Sequence, residues 1–141
     1  HSLERGGTPL LCRMEIPNTT PDKIRSAVGR VLDLIQRETP LTEKDRFEVK
    51  LIVNELLANG FFHGNGGDVS KGLTLTVIVD ENMMTVEVQD QGPGFDYVHT
   101  RAAQGDEEHG RGLMLIQALS DQVDFKKRGS CIAVQKRLAM G

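Results

Sequence analysis

Residues 42–63 read Thr-Glu-Lys-Asp-Arg-Phe-Glu-Val-Lys-Leu-Ile-Val-Asn-Glu-Leu-Leu-Ala-Asn-Gly-Phe-Phe-His, and the placing of polar groups in this stretch decides the fold. Thr42 opens a helix that continues through Phe47, Leu51, Val53 and Leu57. At about 100° per residue, Glu48, Glu55, Asn59 and His63 fall on one narrow stripe. Leu51 flanks the stripe on one side, with Val49, Ile52 and Leu56 on the other. Carboxylates and an amide therefore sit inside the apolar arc that should face a sheet. An ionised carboxylate buried without a partner is costly, so these groups are expected to meet a ligand, a metal or a polar cavity. Glu55 and Asn59, spaced i and i+4, carry that expectation. An isolated Glu on such a face reads more simply as a wet core edge, and His63 as a satisfied histidine near the helix end.

Outward from this helix the elements alternate in type. Upstream, Leu10 to Ile16 reads as a strand stopped by Pro17. Thr20-Pro21-Asp22 then combines a hydroxyl cap, a first-turn proline and an acid, and Ile24, Val28, Val31, Leu32 and Ile35 carry a helix to about Glu38. Downstream, the central helix is expected to fray among Gly64, Gly66 and Gly67. Leu73 to Val79 and Met83 to Val88 read as antiparallel strands around Asp80-Glu81-Asn82. Asp96 to His109 reads as a long polar loop, and Gly112 leads into a third helix ending near Ser120. Val123 to Lys127 and Cys131 to Val134 close the chain as a hairpin. This order predicts an α/β (α+β) sandwich, its mixed and mostly antiparallel sheet covered by helices on one face.

Two glycine motifs flank the loop. Asp90-Gln91-Gly92-Pro93-Gly94 follows a strand. A carboxylate there can accept from an exocyclic amino group such as that of adenine, and glycines admit close backbone approach. The same residues also make a plain turn. Gly110-Arg111-Gly112-Leu113 opens an apolar helix, where bare amides and a guanidinium suit an anion. Between the motifs, a loop able to close over a nucleotide contains Asp106, Glu107 and Glu108, which would repel phosphates unless turned outward. There is no P-loop, no His-Glu-x-x-His metal pair and no Cys-His nucleophile pattern.

Composition narrows the classes. With 141 residues, 38% hydrophobic and 26% charged, the chain is expected to form one globular domain over residues 10–141. Residues 1–9, which begin with His rather than Met, read as a tag or linker. A net charge of −3 argues against direct nucleic-acid binding, and Lys126, Lys127 and Arg128 read as a solvated strand end. No run suits a membrane span. Cys12 and Cys131 lack metal or disulfide-scaffold spacing and read as reduced thiols, which points to the cytoplasm.

The three motifs, in this order and context, resemble the GHKL ATPase superfamily from about Leu10 to Leu138. Asn54-Glu55-Leu-Leu-Ala-Asn59-Gly-Phe-Phe-His63 and Gly110-Arg-Gly-Leu-Met-Leu-Ile look most like the anti-sigma-factor serine kinases. The resemblance implies an ATP site. In it Asn59 coordinates Mg²⁺, Glu55 is the general base, and Asp90 binds the adenine amino group above Gly92 and Gly94. Arg111 and the amides of Gly110, Gly112 and Leu113 hold the phosphates, and Ser130 lies near the adenine. It further implies phosphorylation of a serine on an anti-anti-sigma (STAS-like) protein, sequestration of a sigma factor, and a homodimer. Gly60 departs from the alanine usual after the motif asparagine, and glycine weakens a helix by about 1 kcal/mol.

Overall fold

Two threonines set the helical layer. In the computed structural model, which describes residues 9–93, 107–127 and 130–139 (only the backbone of 107–111), helix α1 spans Pro21–Glu38 and α2 spans Glu43–Asn59. The Thr20 hydroxyl accepts from Lys23 N at 3.3 Å, and the Thr42 hydroxyl from Asp45 N at 3.0 Å. Each satisfies an amide that a helix start leaves open. Helix α1 buries Ile24, Ala27, Val28, Val31, Leu32 and Ile35, and α2 buries Val49, Ile52, Val53, Leu56 and Leu57.

The strands are β1 (Leu10–Ile16), β2 (Leu73–Asp80), β3 (Met83–Gln89), β4 (Gln122–Lys126) and β5 (Cys131–Arg137), with α3 (Glu107–Leu119) between β3 and β4. They lie in the order β1-β2-β3-β5-β4, every neighbouring pair antiparallel. The β3–α3–β4 passage leaves a gap one strand wide, and β5 fills it by doubling back from β4. Alternation selects one face: Leu73, Leu75, Val77 and Val79 of β2 and Met84, Val86 and Val88 of β3 are all buried. They join the buried residues of the three helices in one apolar cluster, so the helices cover a single face, as expected.

Three details differ from the sequence expectation. Helix α2 does not fray: it runs on as a π-helical turn, Gly60–Gly64, in which Asn65 N donates to Gly60 O at 2.8 Å. Gly60 is what lets this turn lie on the sheet, since a Cβ there would come within 2.8 Å of a Leu73 methyl. Helix α3 begins at Glu107, five residues before Gly112 and three residues inside the stretch expected to be loop. Strand β5 extends past Val134 to Arg137. Lys126 and Lys127 are exposed, and bond to Glu87 and Gln89 at 3.1 and 3.0 Å. Both cysteines are free thiols whose pKa burial raises. Among the described residues, no helix is long and apolar enough to cross a membrane.

Candidate functional site

The alternation that buries Val88 also turns Asp90, just past the end of β3, towards the helical layer, where it is 6% exposed. Its amide donates to Ser130 O at 2.8 Å, tying it to the start of β5. Its carboxylate Oδ1 accepts from Gly92 N at 2.8 Å. Burial pushes the Asp90 carboxyl above its ordinary value, against the opposing pull of the Gly92 amide and the Lys71 charge.

Two glycines make this arrangement possible. A Cβ on Gly64 would fall on the Asp90 carboxylate, and a Cβ on Gly92 would fall on the Gly64 carbonyl oxygen. The π-turn after α2 and the turn after β3 therefore meet backbone to backbone. Asn65, 3% exposed, locks them: its Nδ2 donates to Gly72 O at 3.1 Å and its Oδ1 accepts from Gln91 N at 2.8 Å. Gln91 Oε1 accepts from Gly72 N at 2.6 Å, closing the loop before β2 onto the same turn.

One turn before this junction, Asn59 ends α2 at 6% exposure, and among the described residues its side-chain amide has no hydrogen-bond partner. A further turn back, half-buried Glu55 points at α3: a Cβ on Gly112 would strike its Oε1. Gly112 thus lets α3 come close enough for the carboxylate to lie against it. Leu113 and Ile116, both buried, hold that face of α3 on the core.

The early start of α3 changes which amides are open. In a helix beginning at Glu107, the amides of Gly112 and Leu113 point at the carbonyls of Glu108 and His109. The open amides are those at the very start, of Glu107, Glu108 and His109, and no longer that of Gly110. Gly94, the Arg111 side chain and the acidic side chains of residues 106–108 lie outside the described residues. Ser130 is brought beside Asp90 through its backbone, while its hydroxyl donates to Lys127 O at 2.9 Å. Sequence reasoning missed Gly64, Asn65 and Gln91. Their roles come from contacts between distant loops, and only the Gly-rich run after His63 hinted at them.

Glu55, Asn59 and Gly64 lie along one continuous helical rod. It spans about 13 Å at 1.5 Å per residue, with the Asp90 carboxylate against one end and Gly112 of α3 against the other. A family model for the histidine kinase-like ATPase domain matches residues 18–136, which takes in every one of these groups. The chain belongs to that family. No curated protein shows a significant match to it. As a histidine kinase-like ATPase domain it is an ATP-binding module with an ATP-using activity. Among the described residues, no group of three or more His, Cys, Asp or Glu side chains could hold a metal ion. The Asn59 amide, without a partner among the described residues, is an oxygen donor that would fit a hard cation such as Mg²⁺ bringing further oxygen ligands on phosphates.

Proposed function

We propose that this domain is a MgATP-dependent protein serine kinase of the anti-sigma-factor type. Its substrate is a serine on an anti-anti-sigma (STAS-like) protein, and as a dimer it also sequesters a sigma factor. The observation that carries the reading is the α2 rod, which sets a buried carboxylate acceptor, an amide without a partner among the described residues and a second carboxylate along the span of an extended nucleotide. The resemblance of the Asn54–His63 and Gly110–Ile116 stretches to those kinases supports the choice of substrate and partner.

Asp90 accepts from the adenine amino group, and Gly64 and Gly92 keep its carboxylate at the pocket wall. Asn59 holds Mg²⁺, which supplies charge neutralisation on the phosphates when bound. The first-turn amides of α3 and Arg111 bind the phosphate oxygens. Glu55 accepts the proton of the substrate serine as its Oγ attacks the γ-phosphorus. The Oγ–P bond forms, the bond from phosphorus to the ADP oxygen breaks, and ADP leaves.

The first experiment is calorimetric titration with ATP, with and without Mg²⁺, followed by transfer from radiolabelled ATP to STAS-like proteins. Glu55→Ala should leave ATP affinity within about twofold while lowering transfer by at least about 10²-fold. A variant that phosphorylates normally would show that the base is elsewhere. Tight ATP binding by the unaltered chain without transfer to any STAS-like protein would favour a nucleotide-dependent interaction domain instead.

A further inference from the structure

Glu48, the first member of the α2 stripe, has no part in the reading above, and its partner lies on a distant strand. The alternation that turns Ile132 and Val134 of β5 to the core turns Lys136 the same way, so a lysine only 7% exposed ends that core face. Its ammonium donates to Glu48 Oε1 at 2.6 Å and to the Leu119 carbonyl at 3.0 Å. Lys44 stands 3.4 Å from the other Glu48 oxygen. The Lys136 hydrogen bond holds the Glu48 carboxyl below its ordinary value, against the effect of burial. Leu119 is the last residue of α3, and the last turn of α3 carries no basic residue of its own. Lys136 therefore brings from β5 the cation that a helix C-terminus favours. One side chain joins α2, α3 and β5.

We propose that Lys136 is a positioning residue for the phosphate end of the nucleotide site. By clamping the C-terminal end of α3 to α2 through Glu48, it fixes where Gly112 and the start of α3 stand against Glu55. The proposal rests on the nucleotide reading above. Glu48 and Glu55 lie two turns apart on α2, and Leu119 and Gly112 two turns apart on α3, about 10 Å along each axis. Clamp and site are thus opposite ends of one helix pair. A tilt of about 5° about the clamp moves Gly112 by about 1 Å, and misplacement of that size at a reacting centre costs on the order of 10²-fold. The adenine end shares none of these contacts. Its bonds run among Asp90, Gly92, Asn65, Gln91 and Gly72.

The test separates positioning from plain stabilisation by comparing two ligands. Lys136→Met alone leaves Glu48 without its main partner and is prone to unfold. The pair Glu48→Met with Lys136→Met replaces the ion pair by apolar volume, a change that commonly keeps or raises stability. With the paired variant folded by circular dichroism, adenosine and MgATP affinities are measured against the unaltered chain. Adenosine binding should stay within about twofold, while MgATP weakens about tenfold. Lys136→Arg, which keeps the charge and the donors, should recover part of the loss. An unchanged ratio of ATP to adenosine affinity, or equal weakening of both ligands, overturns the positioning role. An unaltered chain that binds neither ligand overturns the nucleotide reading, and this proposal with it.

Discussion

The two ends of the site are built in opposite ways. At the end proposed to hold adenine, the π-turn after α2 and the turn after β3 meet backbone to backbone, and four hydrogen bonds involving Asn65, Gln91 and Asp90 fix them in place. At the end proposed to hold the phosphates, one close contact, Gly112 against Glu55, depends on the pose of a whole helix clamped seven residues away by Lys136. The first end is rigid because its parts are short and locally bonded. The second can be adjusted as a unit, since α3 is held by burial of Leu113 and Ile116 and by its C-terminal clamp. Under the proposed function the first end would recognise a base by shape, and the second would approach, hold and release a transferable phosphate.

The sharpest way to break the contrast is Gly64→Ala. Its Cβ would meet the Asp90 carboxylate inside a bonded junction that has no free side chain to move aside. Thermal unfolding should show a loss of about 2 kcal/mol, and calorimetry the loss of adenosine binding. Normal adenosine affinity in this variant would mean that the adenine end is not rigid.

Asp90→Asn should act next most strongly, and in two directions. Its amide would meet the adenine amino group donor to donor, lowering adenosine affinity by at least about tenfold. The stability effect has the opposite sign. Because the folded Asp90 carboxyl lies above its ordinary 3.8, its stabilising contribution is present below that pH and is lost as pH rises through the raised value. Removing the charge should therefore raise the melting temperature at neutral pH. Glu48 runs the other way: its folded value lies below the ordinary 4.5, so its contribution is present above that pH and is lost on acidification through the lowered value. Melting curves of Asp90→Asn and Glu48→Gln across the acid range should thus depart from the unaltered chain with opposite slopes. Parallel curves would mean that one of the two assignments is wrong.

Gly112→Ala should have the smallest effect on the fold and a selective one on chemistry. The group in its way is the far end of the flexible Glu55 side chain, and alanine favours a helix over glycine by about 1 kcal/mol. Stability should hold or rise slightly and adenosine binding stay unchanged, while phosphoryl transfer falls about tenfold as Glu55 is displaced. A transfer rate equal to that of the unaltered chain would show that Glu55 works from another position.

Much of the fold was legible because its signals are local. Thr20 and Thr42 announced the two helix starts to the residue, and the alternation in Leu73–Asp80 and Met83–Gln89 announced the hairpin. Gly60 was misleading for the same reason. Read locally it weakens a helix, whereas in three dimensions it lets the π-turn lie on Leu73 and Val88. The start of α3 was misplaced because glycines at 110 and 112 look like a helix boundary, and nothing within the segment shows that Glu55 needs Gly112 to be without a side chain.

The sequence by itself determined the α+β class, the order of elements and the candidate polar groups on α2 and after β3. These follow from periodicity, capping and backbone freedom within a few residues. Only the tertiary structure decided what those groups meet: that Glu48 belongs to Lys136, that Gly64 holds the wall behind Asp90, and that Asn59 is left without a partner among the described residues. The physical reason is range. A helix or strand is specified by neighbours along the chain, but the partner of a buried charge or the atom a Cβ would strike depends on segments tens of residues apart, and only folding brings those together.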